Sequence, residues 1–143
     1  MALRARVRRK THRKLHPILG DTKVKVGLVA GEADSDNIDK ALWNHFGTET
    51  IPERPFLTNA MRNNTAAYRN AMRMVAEKIL RGETTLAIVL AKLGLKAADD
   101  VKAEITALSD PPNAASTVTQ KGSSNPLIDT GEMRNSVTWK IDE

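Results

Sequence analysis

Hydrophobic positions change period along this chain, and each change marks an element. From Lys23 to Ala30 (KVKVGLVA), Val24, Val26 and Leu28 alternate with Lys23, Lys25 and Gly27, the period-two pattern of a half-buried strand. Gly31 and the cluster Asp34-Ser35-Asp36-Asn37 end it. Asp36 or Asn37 can cap a short helix near 37–46, in which Ile38, Ala41, Leu42 and Phe46 recur at helical spacing and Gly47 supplies the stop. Thr48 to Pro55 (TETIPERP) is expected to be an ordered loop, because Pro52 and Pro55 disfavour helix in the residues before them.

Phe56 can open a first helical turn. Thr65 to Leu80 then carries Tyr68, Ala71, Met72, Val75 and Ile79 on one face, an amphipathic helix capped by Gly82. From Thr84 or Thr85 a second helix places Leu86, Leu90, Leu93, Ala97, Val101, Ile105 and Leu108 every three or four residues, with Pro111 and Pro112 just beyond its end. Gly94 inside it is a candidate bend, since an interior glycine costs about 1 kcal/mol relative to alanine. The connection is so short that the two helices should form an antiparallel hairpin. Residues 110–126 (DPPNAASTVTQKGSSNP) sustain neither period, and a run of that kind inside a compact domain usually has a binding role or is disordered. Leu127 to Asn135 has room for a short helical turn, and Val137, Trp139 and Ile141 alternate in a second strand.

The expected architecture is therefore α+β, a small antiparallel sheet packed on an antiparallel helical hairpin. Residues 1–20 form an extended N-terminal arm, 21–143 a single domain, and 111–128 a long loop within it. Two strands alone make a marginal sheet, so further pairing from the arm, the loops or a neighbouring subunit is expected.

Composition narrows this picture. At 143 residues there is room for one domain with a real core, and at 3% aromatic that core must be aliphatic. The absence of cysteine excludes disulfides, thiolate metal sites and cysteine nucleophiles. No apolar run approaches the ~20 residues of a membrane span, and Leu15 to Leu19 is too short for a signal-peptide core. Synthesis and folding in a cytoplasm, without membrane association, are expected. The net charge of +5 is concentrated at the start, in Arg4, Arg6, Arg8, Arg9, Lys10, Arg13 and Lys14, with no acid among residues 1–14. Such an arm is a candidate for nonspecific contact with DNA or with an acidic protein surface, but it lacks interleaved aromatics for base stacking.

Catalytic signals are few. Asp129-Thr130-Gly131 matches the core of the aspartic-protease motif, a chemistry that needs two carboxylates sharing a proton and hence a homodimer here. Glu132 and the helix-rich remainder speak against it, and the alternative is a turn in which Asp129 or Thr130 caps the residues that follow. His12 and His16 have helical ligand spacing but lie in the basic arm, where a cation would be repelled. His45, near the end of its helix, reads as a surface or interface residue favoured by the helix dipole. No enzyme, cofactor or metal is expected.

The segments Ala41 to Thr48 (ALWNHFGT) and Ile51 to Leu57 (IPERPFL) resemble the "N-E-F-G-T, then I-P-x-R-P-F" signature of tailed-bacteriophage tail-completion and neck proteins. Pro111-Pro112-Asn113-Ala114, Lys121 to Gly131 (KGSSNPLIDTG) and Met133 to Val137 (MRNSV) resemble the same proteins' ending, so the likeness spans about residues 23–142. His45 stands where that family often has Glu, and Ala115 where it often has Pro. The resemblance implies an α+β virion subunit without catalysis, located in the tail or neck and forming a hexameric ring around the DNA channel. Its implied partners are tail terminator or tail tube proteins and the head connector or stopper proteins.

Within that reading, Phe46, Pro52, Arg54, Pro55 and Phe56 are the candidate loop that anchors subunits or the adjoining ring. Phe56 would supply apolar burial, Arg54 a planar multi-donor contact, and the prolines a preorganised shape; the alternative is an intramolecular clamp. Residues 111–128, with Lys121 and the neighbouring Asp129, form a second candidate interface element. The competing function is a small basic DNA-binding protein acting nonspecifically through its arm.

Overall fold

The structure, a computed structural model, describes residues 22–142. The basic arm lies outside the described residues, and with it the candidate contacts Arg4, Arg6, Arg8, Arg9, Lys10, Arg13 and Lys14 and the pair His12 and His16.

The two alternating segments pair with each other. β1 (Lys23–Leu28) and β2 (Val137–Asp142) run antiparallel, with Val24 opposite Ile141, Val26 opposite Trp139 and Leu28 opposite Val137. This register puts the apolar residues of both strands on one face, where cross-strand pairs reinforce each other. Lys23, Lys25, Lys140 and Asp142 occupy the other, exposed face. Among the described residues the sheet has these two strands.

That apolar face rests on α3 (Leu86–Ala107), which forms a helical hairpin with α2 (Phe56–Leu80). The turn between them follows its glycine: Gly82 at φ 74° lets its own N–H reach the Ile79 carbonyl at 3.0 Å and the Glu83 N–H reach the Lys78 carbonyl at 2.9 Å. These two bonds satisfy carbonyls that the helix end leaves unpaired. Thr85 then caps α3, its Oγ1 accepting from the Ile88 N–H at 3.3 Å. The hairpin is antiparallel, as Tyr68 Oη donating to Asp100 Oδ2 at 2.7 Å requires of helices joined so closely.

α2 differs from expectation in being one helix of 25 residues rather than an isolated turn followed by a helix from Thr65. Its first turns are held by Phe56 and Ala60, buried against Val101 and Ile105 near the end of α3. Tertiary packing there outweighs the low helix propensity of Thr58, Asn59, Asn63 and Asn64.

α1 (Ser35–Phe46) is capped by Asp34, whose Oδ1 accepts from the Asp36 N–H at 3.0 Å, and not by Asp36 or Asn37. It turns Asn37, Ala41 and His45 inward. Leu42 and Phe46, which recur at helical spacing with Ala41, are exposed. The long segment 111–128 is also more structured than expected, because α4 (Ala115–Lys121) lies inside it and ends at Gly122 with φ 69°. α5 (Glu132–Asn135) follows, and Arg134 Nε fastens it to α3 by donating to Thr106 Oγ1 at 2.9 Å. Leu127, Met133 and Val137 close the core over Ala98, Val101 and Ile105, at the open end of the hairpin.

Candidate functional site

The proline-rich loop and the distant Pro111-Pro112-Asn113 stretch meet beside α1. Gly47, at φ 74°, turns the chain back so tightly that a Cβ there would stand 3.0 Å from the Glu53 nitrogen and 3.1 Å from the Ile51 carbonyl oxygen. Thr48 Oγ1 accepts from the N–H groups of Thr50 and Ile51 at 3.3 and 3.0 Å, which folds the loop into a hook. The returning chain lies along α1, with the Arg54 N–H donating to the Asn44 carbonyl at 2.7 Å.

That backbone bond directs the Arg54 side chain inward, where the residue is 2% exposed. Nε donates to the Pro111 carbonyl at 2.8 Å and Nη1 to Asn44 Oδ1 at 3.1 Å. Nη2 donates to the Pro112 carbonyl at 3.1 Å and to Asn113 Oδ1 at 3.3 Å. All four acceptors are neutral, so a planar fork of donors, and not an ion pair, offsets the desolvation of the charge. Burial draws the Arg54 pKa below its ordinary range. Asn44 is itself oriented, since its Nδ2 donates to the Lys40 carbonyl at 2.8 Å.

Asn125 fastens the other half of the corner. Its Nδ2 donates to the Thr106 carbonyl at 2.8 Å, and its Oδ1 accepts from the N–H groups of Leu127 and Ile128 at 3.0 and 3.1 Å. Its carbonyl accepts from Lys121 Nζ at 3.2 Å and from Asn113 Nδ2 at 3.5 Å. Burial lowers the Lys121 pKa, Asp129 raises it, and the charge of Arg54 lowers it further.

Two of the residues expected to reach a neighbouring subunit face inward instead. Arg54 spends its donors within the chain, and Phe56 is 0% exposed, set edge-on to His45 with ring centroids 5.4 Å apart. Neither has surface to offer a partner, so the intramolecular clamp is what the structure contains. Pro55 and Lys121 are half-buried, and Pro52 and Asp129 are exposed. Phe46 is 69% exposed.

Leu42 and Trp43, 48% and 50% exposed, join Phe46 in an outward apolar stripe on α1 that the sequence reading did not single out as a surface. Asp36 and Asp39 lie on the same side of the helix by their spacing. A signal was present in Trp43, which extends the apolar stripe directly away from Ala41. His45, read as a surface residue, is buried instead. Its Nε2 lies 3.3 Å from Thr58 Oγ1, and its Nδ1 has no partner among the described residues. Burial lowers its pKa, and Glu53 partly counters that.

In the Asp-Thr-Gly turn, Thr130 Oγ1 accepts from the Glu132 N–H at 3.4 Å, a local turn bond ahead of α5, whose N-cap position is Gly131 at φ 86°. Among the described residues no His, Asp or Glu cluster could hold a metal ion, and no helix is long and apolar enough to cross a membrane. No family model, curated protein or solved structure matches the chain.

Proposed function

We propose that this chain is a structural subunit of a tailed-bacteriophage virion, without catalytic activity. It completes the head-proximal end of the tail or the neck, joins it to the head connector, and acts as one copy of a hexameric ring around the DNA channel. It is made in the host cytoplasm and resides in the particle, between tail terminator or tail tube proteins on one side and connector or stopper proteins on the other.

The observation that carries this reading is the Arg54 corner. The segments that resemble tail-completion and neck proteins are 57 residues apart at Arg54 and Pro111, and the polar groups that make them conspicuous are hydrogen-bonded to one another. Their spacing is that of a shape-determining fold feature. A motif retained for chemistry would instead aim its donors and carboxylates at a shared cavity.

The test is composition and location. Purified particles of the phage whose genome encodes the chain should contain it by mass spectrometry, and a cryo-electron-microscopy map should show it as a ring where head meets tail. Particles that are complete without it would reject the proposal. The rival reading, a nonspecific DNA-binding protein, rests on the arm's cations, and removing residues 1–14 should then abolish function.

A further inference from the structure

The two ends of the helical hairpin carry surfaces of opposite character. At the open end, α1 presents Leu42, Trp43 and Phe46 to solvent. The segment around it is acidic at its surface: between Ala30 and Pro55, Glu32, Asp34, Asp36, Asp39, Glu49 and Glu53 stand against one exposed base, Lys40, since Arg54 and His45 are buried. At the turn end, α2 and α3 diverge into an apolar groove of about 640 Å³ whose lining includes Ala71, Met72, Val75, Ile88, Val89 and Leu93. Its charged rim is mainly basic, with Lys78, Lys92 and Lys96 against Glu83, Lys96 being engaged by Asp100.

We infer that copies of this chain associate head to tail, the outward face of α1 in one copy seating in the α2–α3 groove of the next. This names the contact that the ring reading requires and rests on that reading. Charge decides the occupant: an apolar stripe set among acids matches an apolar groove rimmed by lysines, whereas the chain's own basic arm would meet like charge there. Length excludes closure within one molecule. Between Phe56, which touches His45 of α1, and Val75 in the groove, α2 rises roughly 28 Å at about 1.5 Å per residue. A contact between two different surfaces at opposite ends of a rod leaves a free surface on each end of any dimer, and so continues until a ring closes.

The experiment uses the full chain and two variants, sized by sedimentation velocity over a concentration series. Trp43→Glu spoils the stripe and leaves the groove intact. Ile88→Glu spoils the groove and leaves the stripe intact; it also sets Glu three residues after Thr85, a capping-box arrangement that favours α3. Both side chains are about half exposed, so circular dichroism and thermal midpoint should match the parent. The parent should self-associate, and each variant alone should do so roughly tenfold or more weakly. Mixed in equal amounts, the variants should form heterodimers and nothing larger, because one sound stripe then meets one sound groove. A parent that stays monomeric, Ile88→Glu assembling as the parent does, or a mixture that yields no heterodimer would each overturn the inference. Particle composition and location, read separately, decide the virion reading itself.

Discussion

Trp139 lies so close to Gly94 that a Cβ on residue 94 would stand 2.8 Å from its Cδ2 and Cε3 atoms, with Val24 Cγ2 also at 2.8 Å. The missing side chain is thus the seat on which the two-stranded sheet rests. Gly94→Ala would gain about 1 kcal/mol of helix propensity and lose roughly 1–3 kcal/mol to overpacking. Because an indole ring is rigid, overpacking should win, with a net loss of about 1 kcal/mol in urea unfolding. A more stable Gly94→Ala protein would show that sheet and helix are not in this contact.

Arg54 should be irreplaceable by lysine. A single ammonium cannot span the Pro111 and Pro112 carbonyls, Asn44 Oδ1 and Asn113 Oδ1 together, and removal of the fork leaves buried acceptors unpaired. Arg54→Lys and Arg54→Ala are each expected to cost roughly 2–4 kcal/mol of unfolding free energy. If Arg54→Lys unfolds at the parent's denaturant midpoint, the corner is not held as described.

Much of the fold was legible where periodicity and turn chemistry agreed. The strands, the hairpin and the Gly82 stop follow from alternation, three-and-four spacing and the need for a positive φ. α1 shows where that logic fails. Its apolar stripe faces out, and the inward face is Asn37, Ala41 and His45, of which Ala41 joins the hydrophobic core and His45 stands edge-on to Phe56. Periodicity locates a stripe without saying which side it faces. α4 was invisible for another reason: it is two turns long, has no buried residue, and includes only one large aliphatic side chain, Val118. Gly94 was read as a bend because close approach of another element leaves no trace in local sequence. The sequence of the Arg54 loop suits an internal clamp and a partner contact equally, and only tertiary structure chooses between them.

His45 gives the fold a dependence on pH. Its folded pKa is depressed below the usual 6.5, chiefly by burial, so the unfolded chain takes up the proton first as pH falls. Stability from this residue is therefore full above 6.5 and declines as pH drops from there toward the folded value. His45→Gln should flatten that part of the profile in thermal melts taken across the range. A parent whose stability rises on acidification through this window would mean that the imidazole is protonated in the fold.

Asp129 is exposed, and the turn bond to the Glu132 N–H is made by its neighbour Thr130. Asp129→Asn should change unfolding free energy by less than about 0.5 kcal/mol, as surface substitutions usually do, and leave assembly into particles unaffected. Loss of a peptide-cleaving activity on this change would instead mark the Asp-Thr-Gly sequence as catalytic.

The proposal that this chain joins heads to tails is tested by deleting its reading frame from the genome that encodes it. Electron microscopy of the resulting lysate should show DNA-filled heads and separate tails, or tails malformed at the head-proximal end, with joining restored when the chain is supplied from a plasmid. Intact, joined and infectious particles in the deletion lysate would contradict the account.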